Sequence, residues 1–128
     1  MANAQTSHSC KTEQWNDYLI DGQSYYLELN ETPRATIYIV FFKGFDYRLK
    51  FCSQNFEKYT IKLYDIEKKL LVTENCNHFE KYIHIRFNSN IASIIEIEPI
   101  INQKQDTSIK GSFYFTVGFK ENNSVETK

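Results

Sequence analysis

Residues 36–52 read Thr36-Ile-Tyr-Ile-Val-Phe-Phe-Lys-Gly-Phe-Asp-Tyr-Arg-Leu-Lys-Phe-Cys52, and the fold is decided by how this stretch is read. Two runs of β-branched and aromatic residues flank Lys43-Gly44, which is the pattern of two strands joined at a tight corner. The first run, Ile37 to Phe42, is apolar at every position and predicts a strand covered on both faces. The second alternates, with Tyr47, Leu49 and Phe51 to one side and Asp46, Arg48 and Lys50 to the other. A slip of one residue would carry two cations and a carboxylate into the core, so the register is firmly specified.

Working outward, the same alternation recurs. On the N-terminal side, Tyr25, Leu27 and Leu29 oppose Tyr26 and Glu28. Before them, Trp15, Tyr18 and Leu19 suit a helical turn or a cover for one end of the core, and Asp21-Gly22 signals a turn. On the C-terminal side, Tyr59, Ile61 and Leu63 face in while Thr60, Lys62 and Tyr64 face out. A polar turn at Asp65–Lys68 follows, lacking Asn-Gly and therefore predicting a type I turn with a bulge. Lys69 to Glu74 returns, with Leu70 and Val72 or else Leu71 inward, and then Ile83, Ile85 and Phe87 oppose Tyr82, His84 and Arg86. Ile95 and Ile97 oppose Glu96 and Glu98 in a strand ended by Pro99. In the last strand Phe113, Phe115, Val117 and Phe119 face in, and Gly118 marks a bulge or a close approach.

That makes about eight short strands and no helix longer than a turn. Strands with one apolar and one polar face belong to sheets packed on one side. The expected fold is all-β, a two-sheet antiparallel β-sandwich of jelly-roll type, with a closed calycin-like barrel as the alternative. A chain of 128 residues is one domain. We place it at 15–120, between flexible tails at 1–14 and 121–128.

Composition agrees, with nine Tyr and ten Phe against four Gly and two Pro, since aromatic residues suit a pleated, half-buried surface. A net charge of −1, with basic residues scattered, provides no phosphate-neutralising excess and argues against a nucleic-acid partner. No apolar run reaches the ~18 residues of a membrane span.

There are three cysteines, Cys10, Cys52 and Cys76, and an odd count precludes full intramolecular pairing. Three thiols, or one bridge and one thiol, are both compatible, and the spacings match no zinc pattern. Near the start, Ala2-Asn-Ala4 before Gln5 has the look of a cleavage-site remnant, although no charged and apolar leader precedes it. Secreted or periplasmic location is the expectation, and cytoplasmic the alternative. Export favours a Cys52–Cys76 bridge, closing a loop of about 24 residues for roughly 3 kcal/mol.

From Ile37 onward the order of elements resembles the bacterial pre-peptidase C-terminal domain and its collagen-binding relatives. The matching pieces are Tyr38-Ile-Val-Phe-Phe-Lys-Gly44 with Tyr47-Arg-Leu, and Tyr59-Thr-Ile-Lys-Leu-Tyr-Asp65 with Leu70-Leu71. Tyr82 to Phe87, Ser93 to Glu98 and Gly111-Ser-Phe-Tyr-Phe-Thr-Val117 complete it, about two-thirds of the chain. The family's Gly-Thr-Tyr is replaced by Asn90-Ile-Ala-Ser, and its acidic calcium-binding cluster has no counterpart. Asp46-Tyr-Arg48 and Val117-Gly-Phe-Lys120 are also similar to small exported proteins of Bacteroidetes-like bacteria. Both resemblances imply a jelly-roll fold; neither implies an activity.

Candidate chemistry is sparse. Glu96 and Glu98 share a strand face, as paired carboxylates must for acid–base work, but alternation alone puts solvated charges there. His84 and Arg86 share another face, with no Gly-x-Ser-x-Gly elbow around the nearby Ser93. Cys52, Cys76 and His78 do not have metal-ligand spacing. No catalytic residue, metal or cofactor is assigned. The feature that points to function is a set of outward tyrosines, Tyr26, Tyr38, Tyr64, Tyr82 and Tyr114, joined by His84 and Arg86. Such rings stack on sugars or grip a polypeptide. The expected function is a non-catalytic binding or accessory module for a protein or glycan surface. The alternatives are a barrel carrying a small apolar ligand and, behind it, a hydrolase using His84 with Glu96 or Glu98.

Overall fold

Each alternating run forms a strand. The structure, a computed structural model, describes residues 10, 19–30, 33–100 and 110–121. The strands are β1 (Leu19–Asn30), β2 (Ala35–Phe41), β3 (Phe45–Ser53), β4 (Tyr59–Asp65), β5 (Leu70–Cys76), β6 (Glu80–Arg86), β7 (Ile91–Pro99) and β8 (Lys110–Glu121). No helix long and apolar enough to cross a membrane occurs among the described residues.

The pairing is that of one long hairpin: β4 pairs β5, β3 pairs β6, β2 pairs β7 and β1 pairs β8, all antiparallel. Rolling this hairpin adds β3–β8 and β4–β7. The first sheet therefore runs β1-β8-β3-β6 and the second β2-β7-β4-β5, the strand order of a jelly roll. The chain is a β-sandwich, and the sheets do not close into a barrel.

Between them lies one filled core. Phe41, Leu49, Phe51, Tyr59, Ile61, Ile95, Ile97, Phe113 and Phe115 are all buried. Phe51 stacks on Phe115 at 4.8 Å, and Tyr59 meets Phe113 edge-on at 4.9 Å. Each such side chain contributes roughly 1.5–3 kcal/mol by leaving water. These side chains fill the middle of the sandwich, and the two sheets are not the closed barrel that the carrier reading expected. At the β5/β6 edge, inward-leaning Lys81 and Glu74 pair at 3.3 Å.

Turn chemistry follows the residues. Gly44 takes φ +92° at the β2–β3 corner, a conformation that glycine adopts without Cβ strain. The β4–β5 hairpin is the expected type I turn with a bulge: the Lys68 N–H donates to the Asp65 carbonyl at 2.9 Å, Lys68 takes φ +72°, and the register shifts between Leu63 and Tyr64. The Asp65 carboxylate accepts from the N–H groups of Glu67 and Lys69. At the far end, buried Ser53 donates to the Ser112 carbonyl and accepts from the Asn55 and Phe56 N–H groups. A Cβ on Gly111 would come 2.5 Å from the Phe56 ring, so any other residue here has to displace that ring.

Three expectations need correction. Ile37–Phe42 is not covered on both faces, because β2 is a sheet edge whose outward side chains meet solvent. Asp21-Gly22 makes no turn between elements; it lies inside β1, where the register shifts between Ile20 and Ser24 opposite Val117. The bulge expected at Gly118 is present on that side, since the shift begins at its pair with Ile20, while Gly118 keeps regular register with Arg48 of β3. Finally, residue 10 is no part of a free tail, being covalently joined to β3, and Glu121 ends β8. The remainder of the expected tails, Trp15, Tyr18 and residues 101–109 lie outside the described residues.

Candidate functional site

The outward tyrosines do not share one surface. Strand alternation sends Tyr26 of β1, Tyr114 of β8 and Tyr82 of β6 to the outer face of the first sheet, with His84 and Arg86. Tyr38 of β2 and Tyr64 of β4 lie on the outer face of the second sheet, across the sandwich.

On the first face, Tyr26 and Tyr114 are cross-strand partners with ring centroids 5.0 Å apart. Tyr114 is in turn opposite Cys52, whose sulfur is bonded to Cys10. Next along β3, Lys50 and Arg48 converge on Tyr82, at 5.7 Å and 4.7 Å from its ring centroid. The ring quadrupole attracts both cations, most strongly where water is excluded. Lys50 retains only 6% of its exposure, so this part of the face is covered. Beyond it, the Arg86 Nε donates to Asp46 Oδ1 at 2.6 Å and Nη2 donates to Oδ2 at 3.3 Å. These bonds hold the Asp46 carboxyl below the usual carboxylate range and raise the guanidinium of Arg86. A shallow depression of about 290 Å³ beside them is lined by Asp46, Tyr47, His84, Ile85 and Arg86. No serine, threonine or cysteine is among the residues that line it.

The second face is divided along its length. One half is charged: Glu96 stands opposite Lys62 and Thr36, and Arg34 lies 4.0 Å from Glu96 and 3.9 Å from Glu98. The carboxylate pair is therefore a solvated face, on the other side of the molecule from His84, and the two halves of the imagined hydrolase never meet. The other half is apolar. Register places Tyr38, Ile94, Tyr64 and Leu70 in a single row across all four strands. Val40 stands opposite Ala92 in the next row, with Phe42 and Ile66 at the adjoining turns. Tyr38 is 72% exposed, Ile66 64%, and Val40, Phe42 and Leu70 about half. Sequence reasoning found the two tyrosines, missed Val40, Phe42 and Ile66, and offered Leu70 as inward, where the register shift at Leu63/Tyr64 instead puts it beside Tyr64 on the outer face. The available signal was the unbroken apolar run in β2, misread as burial on both sides.

The disulfide is Cys10–Cys52, with a Cα–Cα distance of 5.9 Å, and not Cys52–Cys76. The reason is pleat: Cys52 points out of the sandwich, opposite Tyr114 and Glu80, whereas Cys76 points inward opposite Tyr59. Cys76 is a buried thiol whose single S–H is shared between the carbonyls of His78 and Glu80. Tyr59 beside it donates to the Phe79 carbonyl at 2.8 Å, and burial, then its bond with Cys76, pushes the phenol's pKa far up. Cys52 is consequently unavailable as a nucleophile or ligand.

Neither protein-family models nor curated proteins give a match to this chain.

Proposed function

We propose that the protein is a non-catalytic binding module that holds a protein surface against the apolar half of the second sheet. The carrying observation is the clustering of exposed apolar side chains, Tyr38, Val40, Phe42, Ile66 and Leu70, on one end of one face. Scattered apolar residues are ordinary on a surface, but a contiguous patch marks an interaction site. Aliphatic neighbours around the tyrosines favour a polypeptide over a glycan, which needs hydrogen-bonding groups beside its stacking ring. Tyr26, Tyr82, Tyr114, His84 and Arg86 drop out of this surface, being on the opposite face and engaged with the residues around them.

The reading extends to setting. Disulfides persist in oxidising compartments, so Cys10–Cys52 supports a secreted or periplasmic protein. The strand order is that of the jelly-roll fold implied by the likeness to pre-peptidase C-terminal and collagen-binding domains.

The test compares the wild-type protein with Tyr38→Ser/Leu70→Ser on an immobilised peptide library and on a glycan array. Retention of apolar peptides by the wild type, weakened about tenfold in the variant at unchanged Tm, supports the reading. Glycan retention without peptide retention, or equal behaviour of both proteins, overturns it.

A further inference from the structure

A sheet edge offers unpaired N–H and C=O groups to any passing strand, and proteins guard such edges with charges, prolines or bulges. Three of the four edge strands here are guarded. β6 carries Glu80, Lys81 and Arg86; β5 carries Glu74 and faces a register shift; β1 has its own shift and Glu28. β2, Ala-Thr-Ile-Tyr-Ile-Val-Phe, has no charge, proline or glycine, and its register with β7 is unbroken from Ala35 to Phe41.

Beside this edge the sandwich is open. A groove of about 390 Å³ runs between the sheets where β2 faces β1, β8 and β3, and its walls include Tyr25, Ile39, Phe42, Phe45, Val117 and Phe119. The Phe42 N–H donates to the Tyr47 hydroxyl at 2.8 Å and fixes the groove's floor. An unguarded edge and an apolar slot beside it are the two halves of a strand-addition site, the first supplying affinity and the second side-chain selection.

We propose that β2 accepts an added strand: an extended polypeptide segment with apolar side chains at alternate positions, one row of them seated in the groove. This rests on the protein-binding reading above and specifies how the partner is held. A second copy of the chain fits poorly, because its β2 arrives with Ala35, Ile37 and Phe41 already buried in its own core and has nothing to put in the slot. An extended segment has a free inner face. An exposed cation, Lys43, follows β2 and selects a segment whose facing end is acidic, while Arg34 before β2 is engaged by Glu96 and Glu98.

The probe is a synthetic eight-residue peptide alternating valine and threonine between terminal glutamates, followed by fluorescence anisotropy. Two further versions carry backbone N-methyl groups, on the valines in one and on the threonines in the other. Alternate N–H groups of an added strand point at β2, so one methylated version is expected to bind at least about tenfold more weakly and the other nearly as well as the parent. Val40→Lys, at a half-exposed site, is expected to weaken the parent by about tenfold at unchanged Tm. Lysine in place of the terminal glutamates weakens it further. Equal tolerance of both methylated versions overturns strand addition while leaving face binding intact. Absence of peptide binding, with wild-type dimers in sedimentation that Val40→Lys dissolves, overturns it in favour of self-pairing. No binding and no dimers overturns it outright.

Discussion

On the outer face of the first sheet Lys50 and Cys52 are buried, two cations sit over Tyr82, and a disulfide fastens residue 10 to β3. On the outer face of the second sheet Tyr38, Val40 and Leu70 stand in solvent. Both faces are built by strands of the same alternation, and both carry tyrosines. The long polar side chains ended up covered and the apolar ones uncovered, the reverse of what transfer free energy would choose. On the first face the inversion is offset by pairing, with Arg48 and Lys50 lying over the Tyr82 ring. On the second nothing within the described residues offsets it, which is why that face carries the functional proposal.

The largest effect is expected from opening the first face. Cys10→Ser/Cys52→Ser releases a 42-residue separation, and the chain-entropy account gives a loss on the order of 4 kcal/mol in urea unfolding. The same variant is expected to speed amine labelling of Lys50. Unchanged labelling would show that the bridge does not hold that face shut. Next, Tyr82→Leu keeps apolar bulk but removes the ring beneath Arg48 and Lys50, for a loss of about 1 kcal/mol. On the second face, Tyr38→Ser/Leu70→Ser is expected to move stability by no more than about 0.5 kcal/mol. A loss of several would mean that the apolar row is structural, and the contrast between faces would fail.

The smallest effect concerns acid. Asp46 has a depressed carboxyl in the folded state, so its contribution is present above the unfolded value of about 3.9 and disappears as pH falls through the lower folded value. Asp46→Asn is therefore expected to lie slightly below the wild type at neutral pH. The two should converge below about pH 3, read as urea midpoints across the range. The ion pair is solvent-screened, so the neutral-pH gap is small.

Alternation made the strands, the in–out assignment of Tyr47, Leu49, Phe51, Ile95 and Ile97, and even the bulged turn at Lys68 legible in the sequence. It told which side of each strand faces the interior. It did not tell which sheet a strand joins, because Tyr38 and Tyr82 have identical local patterns and only long-range pairing separates them by the thickness of the sandwich. The same blindness affected the cysteines. Cys52 within an apolar strand looks like core, and its outward pleat decides its partner. The exposure of β2 was hidden for a related reason: an unbroken apolar run reads as burial, and edge position is a property of topology.

One feature of the pairing reaches back to how the protein is made. β8 lies inside the first sheet, between β1 and β3, yet it is not synthesised until residues 110–121. At ribosomal rates of about 5–20 residues per second, β1 and β3 wait several seconds for the strand that joins them. A chain wired so non-locally folds on the slow end of the millisecond-to-second scale. Until then its greasy ribbons lie open, a state that calls for a chaperone's cover at the exit tunnel.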